Sequence, residues 1–83
     1  MKNDENRKKI NVILKKICDI EDYEKDFILG INACLKTDDQ VKEMLDWLEK
    51  YKDSGLDTDE ITVKSLEIRH GRKLEVNGVT ARD

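Results

Sequence analysis

Proline is absent from this chain, glycine occurs four times, and the aromatic residues are one Trp, two Tyr and one Phe. With so little turn punctuation, loop-rich, all-β and disordered architectures are disfavoured, and helix is the least costly local state. One His and two Cys give one protomer too few soft ligands for a four-coordinate zinc site. No stretch approaches the roughly 18 apolar residues that a membrane-spanning helix needs. The opening Met1-Lys2-Asn3-Asp4-Glu5 also lacks the apolar core of a signal peptide. These absences predict a cytoplasmic protein with no membrane partner.

What is present is charge: 42% of the 83 residues are charged and 37% hydrophobic. Such a chain makes one small domain, residues 1–83, with a modest core, and reads as a small cytosolic protein of bacterial or phage type. The net charge of −3 conceals a segregated pattern. Residues 1–18 carry six basic and two acidic side chains, a net of +4; residues 19–63 carry five and fourteen, a net of −9; residues 64–83 carry five and three, a net of +2. The simplest reading is that the basic first segment balances its own acidic middle; the other is that it meets an anionic partner.

Periodicity supplies the elements. Ile10, Ile13, Leu14, Ile17 and Ile20 recur at helical spacing and predict a first helix over about 5–20, with Arg7, Lys8, Lys9, Lys15 and Lys16 on its solvated side. The acidic run Asp19-Ile20-Glu21-Asp22 marks a break and a new N-terminus. A second helix follows over about 22–36, its stripe formed by Tyr23, Phe27, Ile31, Cys34 and Leu35 and widened by Ile28. Gly30 inside it costs about 1 kcal/mol relative to Ala, which a tight helix crossing would offset. Leu29 falls on the opposite side. Thr37-Asp38-Asp39-Gln40 matches a capping box and opens a third helix over about 38–53. Its stripe is Val41, Met44, Leu45, Leu48 and Tyr51, and Gly55-Leu56 forms its exit.

Beyond Gly55 the sequence reads two ways. Asp57 through Glu60 would cap a fourth helix to about His70, whereas Ile61-Thr62-Val63 and Leu66-Glu67-Ile68 alternate like strands. Asn77-Gly78 predicts a two-residue hairpin turn that sets Val76 opposite Val79. With a second turn at His70-Gly71-Arg72, the apolar residues of 66–81 would share one face of a three-stranded meander, the preferred reading. The expected fold class is therefore mainly α or small α+β: a three-helix bundle followed by a C-terminal β-meander or hairpin, or by a fourth helix plus hairpin.

Catalytic equipment is scarce. Cys18 and Cys34 lie on or beside apolar stripes and read as buried free thiols, with an intramolecular disulfide as the alternative. His70 sits in a turn among Arg69, Arg72 and Lys73, where cationic neighbours make it a poor acid. The acidic clusters at 19–26 and 53–60 do not match a calcium loop and suit helix N-termini. No enzyme, cofactor, metal or small-molecule substrate is expected. The leading expectation is a protein-interaction or regulatory module, with a homodimer as one form of it. Its candidate contacts are Trp47 and Tyr51, with Met44 beside them and Leu29 elsewhere, because an aromatic at the edge of a completed stripe is either roofed or free to anchor a partner. Val12, which also faces away from its stripe, adds to that surface. The runner-up is nucleic-acid binding through Arg7, Lys8, Lys9, Lys15 and Lys16, or through Arg69, Arg72 and Lys73 near the hairpin.

Overall fold

A computed structural model describes residues 2–83, and the side chains from residue 4 onward. Four helices and a two-stranded hairpin follow one another: α1 (Lys2–Ile17), α2 (Glu21–Cys34), α3 (Asp38–Tyr51), α4 (Thr58–His70), β1 (Glu75–Val76) and β2 (Val79–Thr80). Among the described residues no helix is long and apolar enough to cross a membrane.

α1 buries Ile10, Ile13 and Leu14, and ends at Ile17, three residues earlier than its periodicity suggests. Ile20 does not extend the stripe. It takes an extended backbone (φ −96°, ψ 102°), serves as the N-cap of α2 without a side chain able to cap, and is 59% exposed. The new N-terminus lies in the acidic run as expected, but with no side-chain cap, and the acidic first turn of Glu21, Asp22 and Glu24 meets the helix dipole. At its other end α2 carries no basic residue, and Arg7 of α1 fills that role. Its guanidinium donates to the Asn32 carbonyl (3.0 Å), to Asn32 Oδ1 (3.1 Å) and to the Leu35 carbonyl (2.5 Å). The expectation that Arg7 belongs to the solvated basic face is corrected: it is half-buried and closes the end of a neighbouring helix.

α3 begins as the sequence predicts. Thr37 Oγ1 accepts from the Gln40 N–H (3.1 Å), while Gln40 Oε1 accepts from the Thr37 and Lys36 N–H groups (3.1 and 2.6 Å). Its exit passes through Gly55, at φ 75°, to a buried Leu56. Val41, Met44 and Leu48, fully enclosed with Ile10, Leu14, Leu35 and Ile61, form the centre of the core.

Residues 58–70 are helical, which overturns the preferred three-stranded meander. Asp57 caps the Glu60 N–H at 2.9 Å, and Gly71 closes the helix in the left-handed region at φ 71°, its N–H reaching the Glu67 carbonyl at 2.7 Å. The strand-like alternation has a physical source. α4 is covered on two sides, so Ile61, Ser65 and Ile68 face the bundle at helical spacing, while Val63 and Glu67, four residues apart, face the hairpin. Two stripes on one helix imitate a period of two. The Asn77-Gly78 turn forms as expected, both residues at positive φ (52° and 80°), with Val76 opposite Val79 and Glu75 opposite Thr80. Strands of two residues are too short to hold themselves. Val79 and the buried Ala81 fasten the hairpin to the core.

Candidate functional site

Trp47 is roofed. The C-terminal segment crosses it, leaving 6% of its surface exposed, and its indole N–H donates to the Arg82 carbonyl at 2.7 Å. Tyr51 meets it edge-to-face at 5.7 Å. Arg82 fixes the roof. Its guanidinium makes a two-pronged pair with Glu60 (2.6 and 2.7 Å), its backbone N–H reaches the same carboxylate at 3.0 Å, and a further N–H donates to the Ser54 carbonyl. The Arg82 hydrogen bonds hold the Glu60 carboxyl below its ordinary range, against the opposing effect of burial. Of the sequence-derived partner contacts, then, Trp47 and Met44 are buried and Tyr51 is half-buried beneath Arg82, 5.6 Å from its ring. The reading of Trp47 as a presented anchor is corrected. Leu29 alone of the four is open, 64% exposed.

The candidate nucleic-acid contacts divide similarly. Lys8, Lys9, Lys15 and Lys16 are exposed on α1, as are Arg69 in the last turn of α4 and Arg72 just beyond it. Arg7 is committed to the end of α2. Lys73 is held by Asp83 at 2.8 Å and lies 3.8 Å from Glu67; the Asp83 hydrogen bond raises its pKa. Glu67 had no sequence signal as a core group. It is buried, accepts from the Leu74 N–H (3.3 Å) and lies 3.9 Å from Lys64, linking α4 to the hairpin. Cys18 and Cys34 are free and buried. Among the described residues, no group of three or more His, Cys, Asp or Glu side chains is placed to hold a metal ion.

The surface features that remain are clefts. One, of about 200 Å³, lies between α2 and α4 and is lined by Tyr23, Asp26, Phe27, Gly30, Ile31, Cys34, Thr62, Ser65 and Leu66. A second, of about 290 Å³, lies between α4 and the hairpin and is lined by Tyr23, Asp59, Thr62, Val63, Val76, Asn77 and Val79. Tyr23 and Thr62 belong to both, so the two form one bent depression. Tyr23, expected in the core, is 44% exposed at the junction although its ring stacks on Phe27 at 5.7 Å. Gly30 opens onto this depression, and a Cβ added there would meet nothing within 4 Å. The tight crossing expected to offset its helix cost is therefore not made within the chain. Periodicity assigned Tyr23 to the core, and the strand reading assigned Leu66, Val76 and Val79 to a meander's inner face; only the placement of α4 against α2 shows them as cleft walls.

A separate groove of about 410 Å³ between α1 and α2 holds Leu29 and Ile28, ringed by Lys15, Lys25, Glu21 and Glu24. Its charges are evenly mixed, whereas the lining of the bent depression includes two carboxylates, Asp26 and Asp59, and no Lys or Arg. Comparison of the chain with protein-family models, with curated proteins and with solved structures gives no match.

Proposed function

We propose that this chain is a non-enzymatic protein-interaction or regulatory module that docks a partner in the bent depression between α2, α4 and the hairpin. The observation that carries this reading is the junction itself: Tyr23, a large aromatic, stands nearly half exposed where an apolar cleft meets a mixed one that holds Val63, Val76 and Val79 beside Asp59 and Asn77. Amphipathic aromatics in concave apolar surroundings are the usual anchors of interfaces. Leu29, on the outer side of the same helix, belongs to a second surface ringed by charges of both signs. Trp47, Met44 and Tyr51 support the fold from beneath rather than touching a partner.

Site-specific photocrosslinking tests the reading. A benzoylphenylalanine replacing Tyr23 or Leu66 should yield the same discrete adduct, and the same group at Lys42, which lies outside the clefts, should not. Equal adducts from all three positions, or none from the cleft positions, would refute it. The homodimer is a narrower version, and the α1–α2 groove around Leu29 suits it better, since mixed charges can pair with themselves across a two-fold axis. Sedimentation of wild type against Leu29→Glu reads this directly.

The second reading, nucleic-acid binding, draws on Lys8, Lys9, Lys15 and Lys16, none of which forms an ion pair among the described residues. Overall acidity weighs against it. A gel shift at about 0.15 M salt, where the screening length is roughly 8 Å, should show no complex with duplex DNA or single-stranded RNA. A complex abolished by neutralising those four lysines would instead favour it.

A further inference from the structure

We infer that the occupant of the bent depression is an amphipathic, cationic α-helix of another protein, seated with its backbone close over Gly30. The inference rests on the docking role proposed above and adds the partner's chemistry.

Shape argues for a helix. From Tyr23 to Cys34 the depression follows α2 across twelve residues, about 16 Å at the usual helical rise, or three turns. Packed helix axes lie roughly 8–10 Å apart, and side chains at the crossing set that distance. Gly30 presents no side chain, and Cys34, Thr62 and Ser65 present small ones, so a helix laid here can approach closely. A mid-helix glycine that meets nothing in its own chain is then accounted for by the crossing that an incoming helix would make. Strand addition is a poor fit, because β1 and β2 have two residues each and offer too short a template.

Charge argues for a cationic one. Asp26 and Asp59 are exposed at the rims of the two clefts. Neither forms an ion pair among the described residues. Asp22 stands exposed beside Tyr23, and the nearest guanidinium on α4, that of Arg69, lies three residues past Leu66 towards the helix end. An apolar seam of Leu and Ala flanked by Lys or Arg would fill the clefts and meet these carboxylates. A nucleic acid would be repelled, and two copies of this face related by a two-fold axis would set aspartates against aspartates.

The test uses the full ¹⁵N-labelled chain and two synthetic helical peptides of about four turns. Both share one Leu/Ala seam; one is flanked by Lys and the other by Glu. The Lys peptide should bind at about 0.15 M salt, moving the amide signals of Tyr23, Gly30, Leu66 and Val76, and the Glu peptide should bind at least about tenfold more weakly. Gly30→Leu, which fills open space outside the fold, and the pair Asp26→Asn with Asp59→Asn should each weaken the Lys peptide by about tenfold or more, with far-UV circular dichroism unchanged. Equal binding of both peptides would overturn the charge selection while leaving docking intact. Indifference to Gly30→Leu, or shifts centred elsewhere, would overturn the seat over Gly30. If neither peptide binds, this occupant is wrong, and the crosslinking result alone judges the docking role. Concentration-dependent self-association of the wild type, abolished by Gly30→Leu, would overturn the foreign partner in favour of a second copy.

Discussion

Replacing Trp47 with Ala should threaten the fold. Trp47 is 6% exposed, and an aromatic of its class buries roughly 150–250 Å². At about 25 cal/mol per Å² this is worth about 4–6 kcal/mol. Partial compactness of the unfolded chain reduces that value by roughly 10–40%, and the indole hydrogen bond to the Arg82 carbonyl at 2.7 Å adds about 1 kcal/mol net. The expected loss is therefore about 3–6 kcal/mol, overlapping the cost of large-to-small substitutions in other cores. An 83-residue domain at about 0.05–0.15 kcal/mol per residue has only about 4–12 kcal/mol in all, so the variant should lose a large fraction of its stability. Trp47→Phe, which keeps a ring against Tyr51 but donates no hydrogen bond, should lose about 1–2 kcal/mol. Urea unfolding followed by far-UV circular dichroism is the assay, because the substitution removes the only indole fluorophore. In the wild type that fluorophore should emit at short wavelength and shift to the red on unfolding. A Trp47→Ala midpoint within about 0.5 kcal/mol of wild type, the range of ordinary surface substitutions, would refute the roof and restore Trp47 as an exposed anchor.

Gly30→Ala should stabilise the isolated chain by about 0.4–1 kcal/mol, since the added methyl meets nothing; destabilisation in the same urea assay would reveal a contact that the geometry lacks. The acid limb should depend on Glu60. Its carboxyl is held below the ordinary value of 4.5 chiefly by the Arg82 hydrogen bonds, so its contribution is complete above that value and is lost as pH falls through the lower folded one. Glu60→Gln should therefore flatten the fall in urea midpoint between about pH 6 and pH 3, and an unchanged slope would contradict the pair. Both thiols should react slowly with a thiol reagent in the native chain and quickly in denaturant. Cys34, which lines the α2–α4 cleft, should react before Cys18, and the reverse order would place the opening elsewhere.

How legible an element is in the sequence follows the range of the interactions that define it. The Thr37–Gln40 capping box and the Asn77-Gly78 turn are complete within a few residues, and both form as read. α4 depends on distant partners. Its alternation of buried and half-buried positions follows from being pressed between the bundle and the hairpin, and no local rule separates that from a strand. The roof over Trp47 comes from Arg82, 35 positions along the chain, so the helix wheel of α3 shows an aromatic at a stripe edge and nothing of what covers it. Arg7 is a different case, because the signal was present. It precedes Ile10 by three residues and Leu14 by seven, the spacing of a core position, and its charge alone suggested solvent.

The charge pattern completes the reasoning about the site. Self-neutralisation between a basic first segment and an acidic middle would set the lysines of α1 against the carboxylates of α2 and α3. The ion pairs among the described residues lie elsewhere, joining Lys42 to Asp46 within α3, Glu67 to Lys64 and Lys73, Asp83 to Lys73, and Glu60 to Arg82. Two of them, Glu67–Lys73 and Glu60–Arg82, bind the C-terminal segment to α4. The exposed lysines of α1 and the exposed aspartates around Tyr23 are left to act on solvent and on whatever approaches. An exposed pair is worth roughly 0–1 kcal/mol, so these groups contribute little to folding by meeting one another. Around an apolar depression, however, rim charges raise the encounter rate with an oppositely charged partner and penalise a like-charged one. The acidic middle segment is thus better matched to choosing a partner than to holding the chain together.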